Sequence, residues 1–188
     1  MPSRVRALCR LGRFHDIEVE DSVTAVFEYE NGTDAVFTTT TGEAPGTNRL
    51  EIAADRGRIV VENNRIEFLQ TVQPVGEFLR TCPKGFAAPD TERIVIEPAG
   101  NGPQHTGILK NFAAAIRGDE ELIAPAEEGI HSVTLANAML FSSLRGEPLD
   151  LPLDREAFAA TIRDLIANST HEKKSVPEGT ADDFSNSF

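Results

Sequence analysis

Tryptophan is absent from this chain, tyrosine occurs once, and cysteine and methionine occur twice each. Cys9 and Cys82 match no metal-ligand spacing and make no disulfide framework. Reduced thiols of a cytoplasmic protein are the default for such a pair. No stretch approaches the roughly 18 apolar residues of a membrane span, and the amino terminus lacks the apolar core of a signal peptide. Positive charge is also scarce: 18 Lys and Arg stand against 30 Asp and Glu, a net charge of −12. Such a chain repels phosphate backbones and anionic lipid, which argues against a nucleic-acid or membrane partner. Internal repeats and low-complexity tracts are missing as well. What remains is a hydrophobic fraction of 40% with eleven Phe, enough for one core in a single domain of 188 residues.

The first half alternates with period two, the pattern of strands with one buried face. Val5, Ala7, Cys9 and Leu11 point one way, and Arg4, Arg6 and Arg10 the other. Val23, Ala25, Phe27 and Tyr29 repeat the alternation. Asn31-Gly32 then marks a hairpin into Ala35–Thr41, because both residues tolerate positive φ. Further strands are expected at Arg49–Ala54, Arg58–Glu62, Arg65–Gln70 and Arg93–Glu97, with turns at Asp55-Arg56-Gly57 and Asn63-Asn64. The second half changes to the helical period. Ile108, Phe112, Ala115 and Ile116 form a stripe ending near Gly118. Pro125 opens a longer helix with Glu127 and Glu128 in its first turn, and Gly146 ends it. Ala136, Ala138, Ser142 and Ser143 on that helix are small enough for close packing on a neighbour. Asp154 can cap a last helix carrying Phe158, Ile162, Leu165 and Ile166.

Strands first and helices last predict the α+β class: a large, mostly antiparallel, open-faced sheet with helices packed on one face. Residues 1–168 form this domain, and 169–188 read as a polar, flexible tail. The uncovered sheet face is expected to be an association surface, which makes a homo-oligomer the expected state. The chain enters a strand almost at once, which suggests a domain excised from a longer protein.

No catalytic apparatus is legible. Gly100-Asn101-Gly102 lies between a strand and a helix, as a dinucleotide-binding turn does, but His105 stands where the third glycine belongs. No cofactor site and no metal site are therefore assigned to this chain, and no residue is assigned as catalytic. Carboxylates are plentiful, yet none is set apart by an apolar setting. His131 lies mid-helix among small residues and His171 in the tail. His15 sits in an acidic run, His15 to Asp21, that suits either a solvated loop or a ligand-facing one. His105 opens a helix beside a glycine-rich loop. The loop Thr41–Asn48 is long, polar and punctuated by glycine. Such loops often line ligand sites, and a plain connection is equally compatible.

Several of these segments recur in order in a known family. Val19-Glu20-Asp21 precedes an alternating strand, and Glu30-Asn31-Gly32 turns a hairpin. Gly42-Glu43-Ala44-Pro45-Gly46-Thr47-Asn48-Arg49-Leu50-Glu51-Ile52 leads to Asp55-Arg56-Gly57. His105-Thr106-Gly107 precedes Asn111-Phe112. Pro125-Ala126-Glu127-Glu128-Gly129 begins the long helix, and Leu149-Asp150-Leu151-Pro152-Leu153 follows it. In this set the chain resembles the carboxy-terminal domain of the glucose–fructose oxidoreductase / inositol dehydrogenase / MocA family (Gfo/Idh/MocA).

The resemblance implies a parent enzyme that binds NAD or NADP in an amino-terminal Rossmann domain and acts on a sugar, polyol or related carbonyl. The family's Glu-Lys-Pro segment and Asp-x-x-x-His helix do not occur in this sequence. The chain alone is therefore expected to bind no nicotinamide cofactor and to transfer no hydride. Its implied part is one wall of the substrate pocket and the oligomer interface, with the Rossmann domain as its partner. A family position matching His105 contacts substrate and is often tyrosine. His105, Glu43 and Asn48 are accordingly the expected substrate-binding residues, with His15 a further one. A non-catalytic binding or scaffold domain that keeps only the sheet is the alternative.

Overall fold

The computed structural model describes residues 1–97, 100 and 102–172. The chain divides into two compact units, Met1–Gly42 with the chain from Glu127 onward, and Glu43–Ala126. The class is α+β, as expected, and the strands are shared between two four-stranded sheets. Every pairing in them is antiparallel.

In the first unit β1 (Arg4–Leu11), β2 (Glu20–Glu28), β3 (Asp34–Thr40) and β8 (Leu149–Asp150) pair in the order β3-β2-β1-β8. The alternation of the sequence maps onto this sheet: Val5, Ala25 and Phe27 are buried with Ala138 of α3 (Ala126–Arg145). Leu135 and Met139 of the same helix, and Leu149, Leu151 and Leu153 beside β8, pack around them. The outer face presents Arg6, Val26 and Val36 in one cross-strand row and Leu8, Thr24 and Thr38 in the next. Helix α4 (Arg155–Ala167) is capped by Asp154, whose carboxylate accepts from the Glu156 and Ala157 amides. It joins α3 through the edge-to-face pair Phe141–Phe158, with centroids 5.7 Å apart.

The small residues of α3 have a specific use. β8 pairs with β1 only at Arg4 and Val5. Beyond that point the free edge of β1 is met by α3: Ser142 Oγ accepts from the Ala7 amide at 3.2 Å, and Ser143 Oγ accepts from the Cys9 amide at 2.8 Å. Helical hydroxyls thus close an edge that strand pairing leaves open.

In the second unit β4 (Arg49–Ala54), β5 (Gly57–Glu62), β6 (Arg65–Thr71) and β7 (Thr91–Ile96) pair in chain order. Asn63 and Asn64 both take positive φ, 51° and 54°, the geometry of a two-residue hairpin turn. At Asn31-Gly32, by contrast, only Gly32 is left-handed, within a longer loop. The register sorts the sheet into an apolar face, with rows Leu50–Val61–Ile66–Ile96 and Ile52–Ile59–Phe68–Ile94, and an ion-paired face. On the latter Arg49 pairs with Glu51 and Glu62, Arg58 with Glu51, and Arg93 with Glu67.

Helix α1 (Val75–Thr81) has no counterpart in the sequence reading. It is too short to show a stripe, and its start is organised from a distance by Asp55, which accepts from the Gly76 amide at 2.7 Å. Helix α2 (Gln104–Arg117) ends on left-handed Gly118, as expected. Its buried Asn111 binds the Glu120 carboxylate, the Glu121 carbonyl and the Ile123 amide, fastening the connection that follows. Among the described residues no helix is long and apolar enough to cross a membrane.

Candidate functional site

The connection between β1 and β2 is the most highly organised loop of the first unit. Gly12 turns it with φ of +54°, and a Cβ there would lie 2.4 Å from the Ile17 carbonyl oxygen, so the loop folds back only over glycine. The Gly12 amide then reaches the Val19 carbonyl at 3.1 Å. Three successive amides, of Arg13, Phe14 and His15, converge on the Asp21 carboxylate at 3.1, 2.6 and 3.0 Å. Successive amides aimed at one point make an anion-holding concavity, and here the protein supplies the anion itself. The Phe14 ring lies on Gly42, where a Cβ would come within 2.3 Å of it, and the Arg13 guanidinium lies over the ring at 5.0 Å from its centroid.

Asp21 is only 3% exposed. Burial alone would raise its pKa, but the three amides and His15 outweigh that cost and hold the carboxyl below its ordinary value. The Asp21 carbonyl accepts from the Thr40 hydroxyl, the Thr41 amide and the Thr41 hydroxyl, at 3.1, 3.0 and 3.4 Å. The β1–β2 loop is thereby clamped to the end of β3. His15 sits over this clamp with Nδ1 3.5 Å from Asp21 Oδ2 and 3.3 Å from Thr41 Oγ1. Its side chain is half exposed. A hollow of about 320 Å³ adjoins the cluster, lined by residues that include Cys9, Asp21, Phe37, Thr39, Thr41 and Met139. Burial pushes the Cys9 thiol up, which makes it a poor nucleophile.

The four expected ligand residues fall in both units. His15 is in the first, joined to Asp21 and Thr41. Glu43, Asn48 and His105 are in the second. Glu43 and Asn48 are exposed in the connection ahead of β4, where the Glu43 carboxylate accepts from the Thr47 hydroxyl. His105 is exposed in the first turn of α2. Gly107 behind it is required by packing, since a Cβ would lie 2.6 Å from the Pro103 ring. Of the turn Gly100-Asn101-Gly102, Asn101 lies outside the described residues, as do residues 173–188 of the tail.

Asp21 and Thr41 were missed as site residues, and Asp21 corrects the reading that no carboxylate has an apolar setting. The signal was available. Asp21 shares its strand face with Val23, Ala25 and Phe27, so the period-two pattern already places a carboxylate on the buried side. Among the described residues no group of three His, Cys, Asp or Glu side chains is placed to hold a metal ion. Every strand pairing being antiparallel, the described residues contain no strand–helix–parallel-strand unit, and they do not fit a dinucleotide cradle.

Residues 1–60 match the GFO/IDH/MocA C-terminal domain family. Solved structures share the fold. An NAD-binding protein from Listeria innocua superposes with a TM-score of 0.58 at 17% identity, over 79% of this chain and 41% of that one. The WlbA dehydrogenase from Bordetella pertussis, solved with NADH and UDP-GlcNAcA, gives 0.50 at 21% identity, over 81% and 40%. A levoglucosan dehydrogenase in complex with NADH and levoglucosan gives 0.56 at 15% identity, over 80% and 45%. No curated protein matches the sequence. The chain spans less than half the length of these solved proteins. The resemblance read from the ordered motifs agrees with this match: the chain is similar to the GFO/IDH/MocA C-terminal domain family over residues 1–60, and it shares the fold of these solved proteins over about four-fifths of its length.

Proposed function

We propose that this chain is the substrate-facing and oligomer-forming half of a cytoplasmic NAD(P)-dependent oxidoreductase acting on a sugar, polyol or related carbonyl. The observation that carries the reading is the family match over residues 1–60. That segment holds the whole of the Asp21-centred loop and the polar connection after β3. In this reading His15, Glu43, Asn48 and His105 face the substrate, because a ligand rich in hydroxyls needs mixed donors and acceptors. The cofactor and the proton-handling groups belong to an amino-terminal Rossmann domain, the intramolecular partner of this half. Complexes of WlbA dehydrogenase with NADH and UDP-GlcNAcA, and of levoglucosan dehydrogenase with NADH and levoglucosan, support the substrate class.

Self-association uses the outer face of the β1–β2–β3 sheet. Leu8, Val26 and Val36 are exposed there, Val36 at 73%. Exposed apolar side chains on an otherwise polar sheet face favour a partner surface. The two unpaired cysteines, Cys9 and Cys82, support the cytoplasmic assignment.

The test is a nicotinamide-linked assay of the full-length enzyme against a panel of sugars and polyols. Turnover of at least one of them, with the isolated chain binding neither NAD nor NADP tighter than about millimolar by calorimetry, is the expected result. Saturable micromolar binding of either cofactor to the isolated chain would overturn the division of labour.

A further inference from the structure

We infer that Asp21 is a positioning residue: together with Thr41 it holds His15 as the Nδ1–H tautomer, so that Nε2 is presented as an unprotonated acceptor for a hydroxyl of the ligand. The inference rests on the proposed pocket only for the nature of that ligand. The tautomer follows from the local hydrogen bonding.

His15 Nδ1 has two neighbours, Asp21 Oδ2 at 3.5 Å and Thr41 Oγ1 at 3.3 Å. The Asp21 carboxyl, held below its ordinary pKa, is ionised near neutrality and can only accept. The Thr41 hydroxyl, 3.3 Å from the ring nitrogen, donates its proton to the Asp21 carbonyl oxygen 3.4 Å away, which leaves its lone pairs to the ring. Two acceptors facing one ring nitrogen require the proton to sit on that nitrogen. Nε2 is then the lone-pair nitrogen, and both polar interactions of the ring among the described residues are made through Nδ1. An acceptor of this kind takes an O–H donor, the group a polyol or sugar carries in number.

The arrangement is also rigid. The carboxylate is anchored by the amides of Arg13, Phe14 and His15 before it meets the ring. Asp21 therefore fixes both the backbone and the side chain of His15. A carboxylate serving only to close the loop would need the amides and not the imidazole, which is the difference the experiment reads.

Long-range proton–nitrogen correlation spectra of the labelled chain, recorded near pH 9 where an imidazole is neutral, report which ring nitrogen is protonated. The loss of one histidine's signals in His15→Gln assigns them. The expected result is a His15 ring with Nδ1 protonated and Nε2 bare. In Asp21→Asn the ratio of the Nδ1–H to the Nε2–H form falls by about tenfold, as loss of a charge-assisted bond implies, whereas Thr41→Val leaves the Nδ1–H form dominant. A wild-type ring protonated at Nε2 overturns the inference. So does an unchanged ratio in Asp21→Asn when the amides of residues 13–15 keep their positions. If those amides move in that variant, Thr41→Val decides with the carboxylate cradle whole: loss of the Nδ1–H form there assigns the hold to Thr41 and overturns the role of Asp21. In the full-length enzyme His15→Gln is expected to raise KM for the hydroxylated substrate several-fold with cofactor affinity unchanged. An unchanged KM overturns the ligand half of the inference, while failure of the tautomer measurement leaves the pocket reading standing.

Discussion

Replacing Ser142 by alanine removes two hydrogen bonds from a site that is 1% exposed. The Ser142 hydroxyl accepts from the Ala7 amide at 3.2 Å and donates to the Glu147 carbonyl at 2.6 Å. In Ser142→Ala the Ala7 amide is left without a partner on a half-buried strand edge, a loss of about 1–3 kcal/mol. The Glu147 carbonyl belongs to an exposed residue and regains water, so its loss is smaller, about 0.5–1 kcal/mol. The expected total is about 1.5–4 kcal/mol, or roughly 3–16 °C in Tm for a chain of this size. Urea unfolding followed by far-ultraviolet circular dichroism measures it, as a lower midpoint with an unchanged slope. Ser132→Ala is the control: that hydroxyl is exposed and bonds only the Gly129 carbonyl of its own helix. If Ser142→Ala costs no more than Ser132→Ala, the strand edge is not closed by the helix hydroxyls. Ser143→Ala is expected to behave like Ser142→Ala, because Ser143 serves the Cys9 amide and carbonyl in the same way.

Gly57→Ala places a Cβ 2.0 Å from the Leu69 carbonyl oxygen at φ of +128°; a loss of at least about 1–3 kcal/mol is expected from backbone strain alone, and wild-type stability in thermal melts would refute the close approach. His105→Ala in the full-length enzyme is expected to lower kcat/KM by at least about tenfold with cofactor affinity unchanged; full activity would reduce His105 to a helix opener. Acid should unfold the chain partly through Asp21. Its folded pKa lies below the ordinary 3.8, so its contribution is complete above that value and is lost as the pH falls through the lower folded one. In urea midpoints taken across that range Asp21→Asn should flatten the acid limb, and a curve parallel to wild type would contradict it. Val36→Asp is expected to convert a self-associated chain to monomer in light scattering, across an interface above about 1,200 Å²; a clean wild-type monomer at micromolar concentration would count against the sheet-face interface.

Much of the architecture was legible because it is written locally. The alternation in Val5 to Cys9 and in Val23 to Phe27 marks one buried face, and the structure buries Val5, Val23, Ala25 and Phe27 on it. Asp154 caps α4 and Gly118 ends α2, as short-range capping chemistry predicts. Each of these depends on residues a few positions apart. The division of the strands into two sheets could not be read that way, because alternation shows which face of a strand is buried but not which other strand it joins. Helix α1 also escaped, since the carboxylate that starts it comes from Asp55, far back in sequence.

The site shows the same boundary. The residue pattern alone puts His15 in a polar loop and Asp21 in phase with the buried residues of β2. That Gly12 folds the loop back, that three amides meet on Asp21, and that Thr41, just after β3, shares the imidazole follows only from the three-dimensional fold. The reason is physical. A side chain's pattern position reports its tendency to be buried, whereas its hydrogen-bond partner is whatever the fold brings within about 3 Å, and Thr41 follows a strand distant in sequence from His15.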